Sequence, residues 1–97
     1  MHTVIRSYAG AGAKELFDIL EQRKSEVQSA MREVAGLVSY TLLRSADGGG
    51  ISVTTCADKA GTGESARVAS DWVRKNAANT GVGAPRVAEG TVIIHTL

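Results

Sequence analysis

Two imidazoles, His2 and His95, are the side chains most ready to carry a proton near neutral pH. They stand at opposite ends of the chain. They become neighbours if the first and last strands pair antiparallel, and there they could share a proton or begin a metal site. Two ligands with no carboxylate near them in sequence do not make a tight site, so two rim histidines are the plainer reading. Arg6 poses a different problem. An arginine inside a strand near the middle of a sheet must pair with a carboxylate or line a pocket. Trp72 and Asn76, four residues apart, share one face if their segment is helical. Tyr8 and Tyr40 complete a set that could hold an aromatic ligand: two phenols, an indole, an amide and a cation. Trp72 could equally be core filling. Cys56 as a nucleophile needs a base that the sequence does not supply, and a small buried thiol is the simpler account. Arg44 and Arg86 could meet an anion or simply face solvent.

The elements that must position these residues follow from the pattern of apolar residues. His2 to Tyr8 reads as a strand. Gly10 and Gly12 end it. From Ala13 to Val34, Leu16, Leu20, Val27, Met31 and Val34 recur at helical spacing, and this predicts one long amphipathic helix closed by Gly36. Leu37 to Arg44 and Ile51 to Ala57 read as strands joined by a tight hairpin at Asp47-Gly48-Gly49-Gly50. A loop of two or four residues would put Val38, Tyr40 and Leu42 on one face with Val53, Thr55 and Ala57. Ser52, Thr54 and Cys56 would then lie on the other. Thr62 is the expected N-cap of a second helix, about Gly63 to Asn79. Gly81 to Gly90 is expected to connect, and Thr91 to Leu97, TVIIHTL, to form the last strand.

The opening glycines suggest a dinucleotide turn, but the third glycine of that fingerprint is replaced by Glu15. The hairpin also makes the second and third strands antiparallel, where a dinucleotide fold needs parallel crossovers. Turning a strand into a helix is enough to explain Gly10 and Gly12.

Composition narrows the classes further. Ninety-seven residues make one domain, 1–97, and the formal net charge of +1 offers no basic patch for nucleic acid. One cysteine forbids an internal disulfide, which fits a reducing compartment. No basic segment followed by a long apolar run opens the chain, and no run approaches the ~20 apolar residues of a membrane span. A cytoplasmic protein with no membrane partner is the expectation.

The order β-α-β-β-α-β is that of the ferredoxin-like α+β fold: a four-stranded antiparallel sheet with two helices on one face. The long first helix, GLVSYTLLRS, the glycine-rich turn and ISVTTCADKAG resemble the dimeric α/β-barrel superfamily, in particular its antibiotic-biosynthesis-monooxygenase-like members. The resemblance spans nearly the whole chain and is one of pattern. Ala35-Gly36-Leu37 stands where those proteins carry Pro-Gly-aromatic, and Cys56 where an aromatic is common. It implies a homodimer closed sheet face to sheet face, with a small organic ligand held between sheet and helices. Heme-degrading members use an Asn on the first strand and a Trp and a His on the second helix. Here Ser7 is the nearest polar residue, and Trp72 has no histidine beside it, so neither heme nor any other cofactor is expected. The implied function is a cofactor-independent monooxygenase-like activity on an aromatic or polyketide-type molecule, with Arg6, Tyr8, Tyr40, Trp72 and Asn76 as ligand contacts. A non-catalytic ligand-binding or accessory protein of the same fold is the alternative. A third reading is an isomerase or lactonase relative in which His2 or His95 moves a proton.

Overall fold

The computed structural model describes Met1–Leu97. Strand β1 (His2–Tyr8) leads into helices α1 (Ala13–Gln22) and α2 (Lys24–Arg32). Strands β2 (Leu37–Arg44) and β3 (Gly50–Cys56) follow, then helix α3 (Lys59–Asn76), a 3-10 turn at Ala78–Thr80, and strand β4 (Arg86–Thr91). The sheet order is β2-β3-β1-β4 with every pair antiparallel, so the expected ferredoxin-like fold is present. The helices cover one face. Leu16, Phe17, Leu20, Val27, Met31, Val34, Cys56 and Ala77 form the core between the layers.

Where the sequence predicts one helix from Ala13 to Val34, there are two, broken at Arg23 (φ −112°, ψ 29°). The break has a chemical partner. The Arg23 guanidinium makes two hydrogen bonds to the Glu26 carboxylate, both 2.6 Å, and lies over the Trp72 ring. The Arg23 carbonyl accepts from Glu26 and Val27 and so starts the next helix.

Gly12 precedes α1 at φ 84°, and a Cβ there would strike the Thr80 carbonyl and the Val82 amide. Both the left-handed backbone and the close approach demand glycine. The segment around residues 80–82 packs against this turn, which leaves the two glycines a structural task.

The hairpin corrects the expected faces. Arg44 pairs with Gly50, so five residues, 45–49, make the turn. The Asp47 carboxylate organises it, accepting from the Ser45 hydroxyl at 2.7 Å and the Gly49 amide at 3.0 Å. An odd loop reverses the parity of β3. Tyr40 now stands opposite Thr54, and Leu42 opposite Ser52, on the helix-covered side. Val38 falls at a bulge and is exposed. The open side carries Ile5, Thr41, Leu43, Ile51 and Val53; Ser52, Thr54 and Cys56 lie beneath the helices.

Helix α3 begins earlier than expected. Asp58, not Thr62, is its N-cap: the carboxylate accepts from the Gly61 amide at 2.9 Å, an arrangement typical of helix starts. Thr62 is buried inside the first turn.

The last strand is RVAEGT, not TVIIHTL. Its register pairs Thr91 with His2, the first residue of β1. One further backbone bond, Val92 amide to Met1 carbonyl at 2.9 Å, is all the sheet offers beyond it. Ile93 and Ile94 lie past this bond, and both are exposed despite their β-forming side chains. No helix is long and apolar enough to cross a membrane.

Candidate ligand cavity

The helix-facing side chains of the sheet form rows set by the register. Leu42, Ser52 and Arg6 make one row, and Tyr40, Thr54 and Val4 the next. Tyr8 lies beside Gly50, where the Phe17 ring occupies the space a Cβ would need. The rings of Tyr8 and Phe17 are 5.9 Å apart. Above these rows, α1, α2 and α3 lay down Leu16, Leu20, Val27, Met31, Val68, Ala69, Trp72 and Val73. Between floor and ceiling lies a cavity of about 40 Å³. Arg6, Tyr8, Ala69 and Val73 also line a neighbouring cleft of about 460 Å³ between α3 and Val82–Pro85. That outer space is within the usual size of small-molecule sites. Small residues on α3, namely Ala66, Ala69 and Ser70, make room for it.

Four of the five expected ligand contacts, Arg6, Tyr8, Tyr40 and Trp72, line this cavity. Asn76 does not. Its side-chain amide donates to the Trp72 carbonyl at 2.9 Å, one helical turn back, and serves the helix end. Thr54 and Ser52 also line the cavity, a consequence of the five-residue turn.

Burial sets the protonation of the floor. It pushes the Tyr40 phenol up to about 12, with nearby Tyr8 adding to the shift and Arg6 opposing it. Burial also raises Tyr8, again against Arg6. Both phenols are therefore neutral hydrogen-bond donors at physiological pH. Arg6 itself has no hydrogen-bond or ion-pair partner in the chain, whereas Arg44 is held by Asp18 at 3.1 Å and Glu21 at 3.3 Å. Arg44 is thus satisfied internally, and Arg86 is exposed on edge strand β4.

The histidine pair does not form. His95 lies beyond the end of β4 in the exposed tail. His2 is instead engaged on both ring nitrogens: Nδ1 is 2.8 Å from the Thr62 hydroxyl and Nε2 is 3.3 Å from a Glu89 carboxylate oxygen. The register that pairs β1 with β4 supplies this carboxylate, which sequence distance concealed. The cluster straps β1, β4 and α3 together, away from the cavity. No group of three or more His, Cys, Asp or Glu side chains is arranged to hold a metal. Cys56 is fully buried, and burial together with nearby Asp58 raises its thiol, against a nucleophilic thiolate.

No protein-family model matches the chain, and no curated protein matches it in sequence. Solved structures do. A monooxygenase from the ActVA-Orf6 gene of Streptomyces coelicolor, in complex with nanaomycin D, is 21% identical, spans 99% of this chain and 89% of its own, and has a TM-score of 0.66. The heme-degrader MhuD of Mycobacterium tuberculosis, with two hemes in its active site, is 20% identical over 98% of this chain and 97% of its own, TM-score 0.65. A dimeric ferredoxin-like protein from an uncultured marine organism is 14% identical over 99% and 95%, TM-score 0.66. At these identities the likeness is one of fold: the chain has the ferredoxin-like fold of the antibiotic-biosynthesis-monooxygenase-like proteins.

Heme does not fit the residues present. The inner cavity is far smaller than a porphyrin, and neither space is lined by a His or Cys to serve as an axial ligand. A tyrosinate ligand is opposed by the burial that keeps Tyr8 and Tyr40 protonated.

Proposed function

We propose that the chain is a homodimeric, cofactor-independent monooxygenase-like enzyme acting on a small planar aromatic or polyketide-type molecule. The observation that carries this reading is the unpartnered Arg6 guanidinium at the junction of an apolar cavity and an open cleft. A cation so placed suits a ligand whose oxygen becomes negative. An anthrone-like CH₂ compound loses a proton to give an enolate, and Arg6 holds that oxygen while Tyr8 and Tyr40 donate from the floor. The enolate carbon passes electrons to dioxygen, a carbon–oxygen bond forms, and loss of water leaves a carbonyl: CH₂ plus O₂ gives C=O plus H₂O. The cavity contains no carboxylate or imidazole, so the proton leaves to water in the cleft, and the substrate must supply its own acidity. The inner space is of a size for dioxygen. Trp72 forms part of its wall.

The dimer rests on the open face of the sheet. Ile5 and Leu43 are exposed there among small and β-branched side chains, a surface suited to a second copy. The dimeric state of the marine protein, which shares the fold, supports it.

The test is oxygen uptake with a panel of anthrones and naphthols. Consumption of dioxygen with formation of the corresponding quinone supports the enzyme. The absence of a carboxylate or imidazole base from the cavity lining favours a second reading, a binding or accessory protein of the same fold. Tight binding of the panel without oxygen uptake selects that one.

A further inference from the structure

Thr54 sits in the middle of the cavity floor, on the central strand β3, between Tyr40 of β2 and Val4 of β1. It is 1% exposed, and its hydroxyl is the one buried side-chain polar atom of the protein without a hydrogen-bond partner. Three other buried hydroxyls are paired. Thr55 meets the Thr3 hydroxyl at 2.7 Å, Thr62 donates to the Lys59 carbonyl at 3.0 Å, and Ser65 donates to the Thr62 carbonyl at 2.7 Å. Burying a hydroxyl with no partner costs stability, and valine would fill the same volume without that cost. An uncompensated polar atom in the wall of a ligand cavity is most simply explained by a partner that arrives with the ligand.

We propose that Thr54 is a specificity-determining residue that hydrogen-bonds a second, neutral oxygen of the ligand while Arg6 pairs with the ionised one. The inference rests on the cavity being the ligand site. The register makes Arg6 and Thr54 diagonal neighbours across β1 and β3, separated on the scale of ~7–8 Å between such positions. The ligand class follows: a flat aromatic anion bearing a hydroxyl or carbonyl on the edge that enters the inner cavity, its rings resting in the cleft against Ala66, Ala69 and Val73. A site that has committed a buried polar group rejects the analogue lacking the matching oxygen more strongly than an apolar site can.

The experiment compares 2-naphthoate with its monohydroxylated isomers, a set sharing one anion and differing in one neutral oxygen. Binding is read by quenching of Trp72, the only tryptophan, and checked by calorimetry. At least one isomer should bind the native protein about tenfold or more tightly than the parent, the effect of one buried hydrogen bond. In Thr54→Val that preference should fall below threefold while parent affinity is kept, and the melting temperature should hold or rise. Thr54→Ser keeps the hydroxyl and should keep the preference. Arg6→Ala should weaken every member of the set. If all isomers bind the native protein as the parent does, the role of Thr54 is overturned and the cavity stands. If no naphthoate binds at all, both fall. A lower melting temperature in Thr54→Val with preference unchanged would show the hydroxyl to be structural, and would also overturn the proposal.

Discussion

The Arg23 guanidinium carbon lies 5.3 Å from the centroid of the Trp72 ring, joining the break between α1 and α2 to the wall of the cavity. The same guanidinium grips Glu26 with two bonds. The break and the indole therefore stabilise each other. A cation over an indole contributes about 0.5–1 kcal/mol at a partly exposed site. Arg23→Ala should lower the melting temperature by roughly 4–8 °C per kcal/mol lost in a domain of this size. It should also shift Trp72 emission to longer wavelength as water reaches the ring. Equal emission in the two proteins would show that the stacking does not hold the indole in place.

Arg6 and Trp72 are expected to govern ligand handling without governing the fold. Arg6 has no internal partner, so Arg6→Ala should leave stability unchanged or raise it slightly, since it relieves a half-buried charge. Removing the cation should reduce affinity for anionic ligands at least tenfold, the scale of one charge-assisted hydrogen bond of about 1.5–3 kcal/mol. Trp72→Phe keeps an aromatic wall and should reduce turnover more than stability. Steady-state oxygen uptake set beside thermal denaturation separates the two effects. Normal turnover in both variants would remove the cavity from the chemistry.

Tyr40 makes stability depend on pH in a defined window. Its phenol titrates near 12 in the folded chain because burial penalises the phenolate. Unfolded, it would titrate near its usual value of about 10. Below the lower value both states hold the proton and the stability is fully present. As pH rises from there through the folded value, the unfolded chain alone gives up its proton, and stability falls. The loss should approach roughly 2–3 kcal/mol by the upper end of that window, from the two-unit separation. Urea titrations of the native protein and Tyr40→Phe between pH 9 and 11, reported as a pH slope, check this. The variant should show a shallower slope, Tyr8 retaining a smaller share of the same sign. Equal slopes would place Tyr40 in contact with water.

Asp58 is expected to set the start of α3. Its carboxylate is the only side chain capping that helix, so Asp58→Ala should cost about 1 kcal/mol. Thr62→Ala would act differently, because its hydroxyl donates to the Lys59 carbonyl and meets His2 rather than satisfying a free amide of the first turn. Asp58→Asn, which keeps an accepting oxygen at the cap, should cost much less than Asp58→Ala in urea titrations, and equal losses in the two variants would contradict the assignment.

These residues show what was legible in the sequence. Arg6, Tyr8, Tyr40 and Trp72 come together as a group only through the family resemblance, whereas the bounds of β1 and β2 and the order of strands follow from local pattern alone. The break at Arg23 does not, because its partner Trp72 is distant in sequence and the apolar stripe runs on without interruption. TVIIHTL has stronger β propensity than RVAEGT, yet RVAEGT is the segment that pairs with β1, so tertiary register overrides local propensity. Thr54 was hidden by one residue of loop length. Three consecutive glycines permit turns of several lengths, and only an odd one, here of five residues, carries Thr54 beneath the helices. Asp47, which can bond both Ser45 and Gly49, was the available signal for that longer turn.

The open face of the sheet leads to the last prediction. Ile5 is 38% exposed and Leu43 is 43% exposed, with Thr41, Ile51 and Val53 on the same side. That surface carries no charge on β1, β2 or β3, and water gains nothing from it. Two copies placed face to face would bury it. Native mass spectrometry should give twice the chain mass of 10.1 kDa. Ile5→Lys with Leu43→Lys should yield a folded monomer, since neither side chain belongs to the core beneath the helices. Helical circular dichroism would confirm folding in the same sample. A native protein already monomeric at micromolar concentration would mean that this face is solvated, and the homodimer would have to be abandoned while the cavity on the opposite side of the sheet kept its own tests.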